Sequence, residues 1–89
     1  MRLIKRGILR LMLQLESRNK VPVHSSKVRK YFVESEPSWY KSYGSLRRNI
    51  CINLQELYAD GYLERVRFDG RTYSYNLTDL GYKTALEFL

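Results

Sequence analysis

The chain has 89 residues, enough for one domain with a single, marginal core and too few for a second. Hydrophobic residues at 44% and aromatics at 13% exclude a disordered chain, and two prolines with five glycines leave little room for linkers. Sixteen Lys and Arg against nine Asp and Glu give a net charge of +7, so a polyanionic partner is expected, the plain alternative being a charge that only aids solubility.

The first stretch, RLIKRGILRLMLQLESR, reads as a helix. Arg6 and Arg10 interrupt its apolar run and no small-residue cleavage site follows, which argues against a signal peptide or a membrane span. An amphipathic surface anchor is the alternative, given Lys5, Arg6 and Arg10 among the leucines. At helical spacing Ile4, Ile8, Leu11, Met12 and Leu15 form one stripe, while Leu3, Leu9 and Leu13 fall outside it. A helix apolar on more than one side needs two packing partners. One is its own domain, and the other is a second subunit or the C-terminal helix.

Asn19 to His24 reads as a turn and a very short extended piece, since Pro22 disfavours helix at Val21, and it is expected to pair at the edge of the later hairpin. His24 has no second histidine or cysteine partner, so a structural role is expected rather than chemistry. Ser25 and Ser26 offer a hydroxyl cap for the helix SKVRKYFVES, with Val28, Tyr31 and Phe32 toward the core. Lys27, Arg29 and Lys30 lie near its start, where the macrodipole prefers anions; a phosphate backbone explains them, as does a simply solvated face.

Glu34 to Gly44 breaks the helical pattern at Pro37 and carries Trp39, Tyr40 and Tyr43, an aromatic connector longer than a minimal helix-turn-helix turn. The helix that follows, from Ser45 to Asp60, organises the chain. Leu46, Ile50, Leu54 and Leu57 form its core face, with Asn53 and Tyr58 at the margins. Ser45, Arg48, Asn49, Ile52, Gln55 and Glu56 point the other way, mostly side chains able to bond base edges or phosphates. Cys51 lies at the edge of this helix. As the only cysteine it allows no intrachain disulfide and no cysteine cluster for zinc, fits a reducing, cytoplasmic compartment, and reads as a half-buried filler rather than a redox sensor or intersubunit link.

Gly61 ends that helix, and YLERVRF-DG-RTYSYNLT reads as two strands joined by an Asp-Gly turn. A two-residue loop pairs Phe68 with Arg71, Val66 with Tyr73, Glu64 with Tyr75 and Tyr62 with Leu77, which sends Arg65 and Arg67 to one face and Arg71 to the tip. These arginines suit a flap that reaches along a nucleic acid, and equally a charged strand that resists edge-to-edge pairing. Thr78 is the expected N-cap of a last helix on which Tyr82, Ala85, Leu86 and Leu89 share a face, with Leu80 and Phe88 elsewhere. Both ends of the chain are over-supplied with apolar residues. A two-fold dimer through Leu3, Leu9, Leu13, Tyr82, Ala85, Leu86 and Leu89 is the economical expectation.

Leu54, Leu57, Gly61, Tyr62 and Leu63, then Leu77, Thr78 and Gly81, reproduce the Leu-x-x-Leu, Gly-Tyr-Leu, hairpin and Leu-Thr-x-x-Gly order of a known family. The C-terminal half closely resembles the small winged helix-turn-helix transcription regulators of the MarR and PadR type, and the compact dimeric ones of archaea and their viruses. The N-terminal half matches only by order of elements. The resemblance implies an α+β, mainly α, winged helix over residues 1–89, with Ser45 to Asp60 as recognition helix and Arg65 to Arg71 as wing. The long aromatic connector departs from the family pattern.

The expectation is therefore a homodimeric, sequence-specific regulator on double-stranded DNA. Ser45, Arg48 and Asn49, with Ile52 beside them, would face base edges. Arg47, Lys41, Lys27, Arg29 and Lys30 would hold phosphates, and Arg65, Arg67 and Arg71 the minor groove or backbone. The alternative is a winged-helix assembly module without sequence-specific DNA binding. An enzyme is not expected: one His, one Cys and scattered acids assemble no paired carboxylates, metal-ligand spacing, phosphate loop or activated nucleophile, so no cofactor or metal is expected either.

Overall fold

In the computed structural model the leucine-rich start of the chain becomes α1 (Leu3–Asn19), around which the other elements gather. The structure describes the backbone of residues 1–19, 22–35 and 43–89, and their side chains apart from residues 17–19, 35 and 43–47. Among these residues the chain is a small α+β domain, mainly helical: β1 (Val23–His24), α2 (Ser25–Ser35), α3 (Tyr43–Ala59), β2 (Leu63–Phe68), β3 (Tyr73–Leu77) and α4 (Asp79–Glu87) follow α1. The sheet is antiparallel in the order β1-β3-β2, so the short N-terminal strand does pair with the hairpin. The expected aromatic connector, Lys41 included, falls largely in residues 36–42, outside the described residues.

Helix α1 is buried on nearly every side. Ile4, Ile8, Leu11, Met12 and Leu15 enter the core as their spacing predicts, and Leu9 and Leu13 are buried with them. From Leu3 to Leu15, only Leu3, Arg10 and Gln14 are exposed. The second packing partner is α4, which contacts α1 more extensively than any other helix does. Gly81 and Ala85 are the buried residues of α4, and Phe88 beside them is half-buried with the Arg6 guanidinium 5.2 Å over its ring. Leu9, Leu13 and Ala85 are therefore internal and unavailable to a second subunit. Leu3, Tyr82, Leu86 and Leu89 remain exposed.

The hairpin differs from its expected register. Phe68 pairs with Tyr73, not Arg71, so the loop takes in Asp69, Gly70, Arg71 and Thr72. The Asp69 carboxylate accepts the backbone N–H groups of Arg71 and Thr72 at 3.0 and 2.9 Å, and Gly70 takes a φ of 99°. Toward the base, Arg65 pairs with Tyr75 but Arg67 with Ser74, leaving Val66 as the extra residue of a bulge. Directly paired residues point to the same side of a sheet. Arg65 thus shares the face of Tyr73 and Tyr75, and Arg67 the opposite one, rather than both lying together.

At the other end of the hairpin the turn chemistry is as the sequence predicts. Gly61, at φ 86°, closes α3: its N–H donates to the Tyr58 carbonyl at 3.1 Å and that of Tyr62 to the Leu57 carbonyl at 2.9 Å. Thr78 caps α4, its Oγ1 accepting the Gly81 N–H at 3.0 Å while its hydroxyl donates to the Gly61 carbonyl at 2.6 Å. One threonine joins the end of α3 to the start of α4. Gly81 is required because a Cβ there would stand 1.9 Å from the Tyr62 carbonyl oxygen.

Candidate nucleic-acid interface

Spacing along α3 decides what faces outward. Ile50, Leu54 and Leu57 are buried, while Arg48, Asn49, Ile52 and Gln55 are exposed, Ile52 at 43%. Ser45 and Arg47 lie in the described backbone of α3, but their side chains lie outside the described residues. Glu56 turns toward α1 instead, its carboxylate 3.4 Å from Lys5 Nζ. Asn53 is buried and donates from Nδ2 to the Asn49 carbonyl at 2.7 Å, a bond within the helix that uses the backbone acceptor beneath Asn49.

A stretch of α3 and the hairpin tip line one cleft. Cys51, Leu54 and Gln55 from α3 line it together with Arg71, Thr72, Tyr73 and Tyr75 from the hairpin and Ser25 from the start of α2, around a volume of about 180 Å³. Cys51 is half-buried there, as its position predicts. Ser25 does not cap α2: its Oγ is buried without a hydrogen-bond partner. A larger open depression of about 550 Å³, lined by Met1, Arg2, Lys5, Asp60 and Tyr62, contains none of the predicted contact residues.

What holds the hairpin tip in place is a network the sequence conceals. His24 Nδ1 accepts the Ser26 N–H at 3.1 Å, doing for α2 what the serine hydroxyls were expected to do, and places the ring proton on Nε2. That nitrogen lies 2.8 Å from Asp69 Oδ2 and 2.6 Å from Thr72 Oγ1. The backbone N–H groups of Thr72 and Arg71, with the His24 ring after them, hold the Asp69 carboxyl well below the usual carboxylate range. His24 fastens β1 to the turn 45 residues later.

Arg65 has become a fastening as well. Its guanidinium sits 4.1 Å over the Tyr58 ring of α3 and 4.2 Å over the Tyr73 ring of β3. A hydrogen bond to the Tyr75 side chain raises its pKa above the ordinary guanidinium value, against the smaller opposing effect of desolvation. Arg67 and Arg71 stay exposed, as do Lys27 and Lys30 on α2, whereas Arg29 is half-buried and its Nε has no partner. The predicted cations therefore separate into Arg48, Arg67, Arg71, Lys27 and Lys30, which solvent reaches, and Arg65, which packing holds.

Signals for these holders were present only in part. An Asp followed by Gly-Arg-Thr is a competent side-chain-closed turn, but the pairing of His24 with it has no local signature. No protein-family model, curated protein or solved structure matches the chain. Among the described residues no group of three or more His, Cys, Asp or Glu is placed to hold a metal ion, and no helix is long and apolar enough to cross a membrane.

Proposed function

We propose that the chain is a winged-helix regulator that binds double-stranded DNA as a homodimer. The observation that carries this reading is the shared cleft, which brings the exposed Gln55 of α3 together with Arg71 of the hairpin so that one polyanion can touch both. The order of helices and strands supports the reading, as it is the order that the sequence resemblance implies. In this reading α3 enters a major groove with Arg48 and Asn49, and Ser45 before them, at base edges. Arg47, Lys41, Lys27, Arg29 and Lys30 hold phosphates. Arg67 and Arg71 follow the backbone or the neighbouring minor groove, and Arg65 positions the hairpin that carries them.

The dimer seam is reduced to Leu3, Tyr82, Leu86 and Leu89, which a two-fold axis would pair with their own copies, setting two half-sites about one helical turn apart. A protein of this kind works in the cytoplasm, where its lone thiol stays reduced.

Selection from random duplexes, followed by a salt titration on the winning site, tests the proposal. A recovered two-fold-related site whose affinity falls steeply with salt supports it. The same exposed Leu3, Tyr82, Leu86 and Leu89 favour a second reading, a protein-assembly module. No duplex binding at low salt, or binding with little salt dependence, selects that reading instead.

A further inference from the structure

The hairpin carries an aromatic ring that its own fold does not cover. Phe68, at the end of β2, is 57% exposed although its partner across the strands is Tyr73, 4.7 Å away between ring centroids and tilted by 32°. Tyr73 also packs on the Arg65 guanidinium, and Arg65 packs on Tyr58. Planar groups thus succeed one another from α3 outward, Tyr58, Arg65, Tyr73 and Phe68, and the last is open to solvent. Arg67 and Arg71, both exposed, lie beside it in the chain on either side of the turn. An open apolar ring on an edge strand is an aggregation hazard unless something takes it.

We propose that Phe68 is a base-stacking wedge: on DNA it enters a base step from the minor-groove side and continues the stack, with Arg71 of the adjoining turn on a flanking phosphate. The inference rests on the DNA-binding reading above and names how the hairpin engages the duplex. A nucleobase meets both demands of the site, since it offers a flat π-face within a chain of negative charge. Charge and geometry disfavour a second copy of the same strand, because Arg67 and Arg71 would repel their own copies and the bulge at Val66 interrupts the row of backbone groups that edge pairing needs. Backing through Tyr73 and Arg65 onto α3 gives the ring a support against which to push the bases apart. Pyrimidine–purine steps are the cheapest to open, so the wedge adds preference for such a step beyond the bases that α3 reads.

The test uses the full chain and its selected duplex, with 2-aminopurine placed in turn at each position flanking the half-sites. Binding is expected to raise fluorescence at one step, where the reporter loses a stacked neighbour. Phe68→Ala is expected to remove that signal and weaken binding on the order of 10- to 100-fold, the loss typical of one stacked base. Phe68→Tyr, which keeps a ring, is expected to retain both. If the unaltered protein binds its duplex and no reporter position responds, or Phe68→Ala binds as tightly as the parent, the wedge is overturned while the DNA reading stands. If no duplex is bound at all, both fall. The reporter scan on the unaltered protein decides the matter even where Phe68→Ala disturbs the hairpin.

Discussion

Removing the Thr78 hydroxyl by Thr78→Ala unties two joints at once. The cap bond from the Gly81 N–H, at 3.0 Å and partly buried, is worth about 1 kcal/mol. The bond to the Gly61 carbonyl, at 2.6 Å but exposed, adds about 0.5 kcal/mol, the low end for a neutral pair. The expected loss is therefore about 1.5 kcal/mol, which for a domain of this size lowers Tm by roughly 6–12 °C. Urea unfolding followed by circular dichroism reads it as a lower midpoint with an unchanged slope. Thr78→Ser keeps the hydroxyl and is expected to recover most of the loss. A Thr78→Ala midpoint equal to that of the parent, or a serine variant as unstable as the alanine one, would refute the two-joint account.

Gly81→Ala places a methyl 1.9 Å from the Tyr62 carbonyl oxygen and 3.2 Å from Leu77 Cδ2, so it is expected to cost about 3 kcal/mol or more, measured by the same urea titration. Glu16 accepts the Leu77 N–H at 2.6 Å, and its pKa is raised above 4.5 by burial first, with the nearby Glu64 charge adding, while the Leu77 bond opposes. The fold therefore binds that proton more tightly than the unfolded chain does, and this contribution to stability is lost as pH rises from about 4.5 through the raised value. Glu16→Gln keeps the bond without the charge. It is expected to be more stable than the parent at pH 7 and no more stable at pH 4, so equal pH profiles would contradict the assignment. Leu86→Ser with Leu89→Ser is expected to convert a dimer into a folded monomer in sedimentation equilibrium. Arg48→Ala is expected to cost about 1–3 kcal/mol on the selected site and much less on random duplex, read by fluorescence anisotropy.

The element order, the α1 stripe, the α3 core face, the Gly61 stop and the Thr78 cap were legible because each is written in residues close together in the chain. The hairpin register was not, although the Asp-Gly pair is a strong turn signal. Asp69 closes the wider loop with its side chain, and His24, remote in sequence, adds to that choice. The bulge at Val66 then puts Arg65 and Arg67 on opposite faces, a consequence no period-two reading contains. Arg65 lost its expected exposure to the rings of Tyr58 and Tyr73, which meet only in three dimensions. At the termini the apolar excess is plain in the sequence, but the choice between α4 and a second subunit depends on packing. Helix α4 packs on α1, Leu9, Leu13 and Ala85 are buried, and Leu3, Tyr82, Leu86 and Leu89 stay exposed.

Amide chemical-shift mapping of the labelled protein against its selected duplex tests the shared contact surface most directly. The largest changes are expected at Arg48, Asn49, Ile52 and Gln55 of α3 and, in the same titration, at residues 67 to 71 of the hairpin. Changes confined to α4, or changes that leave either α3 or the hairpin unmoved, would contradict a single duplex lying across both.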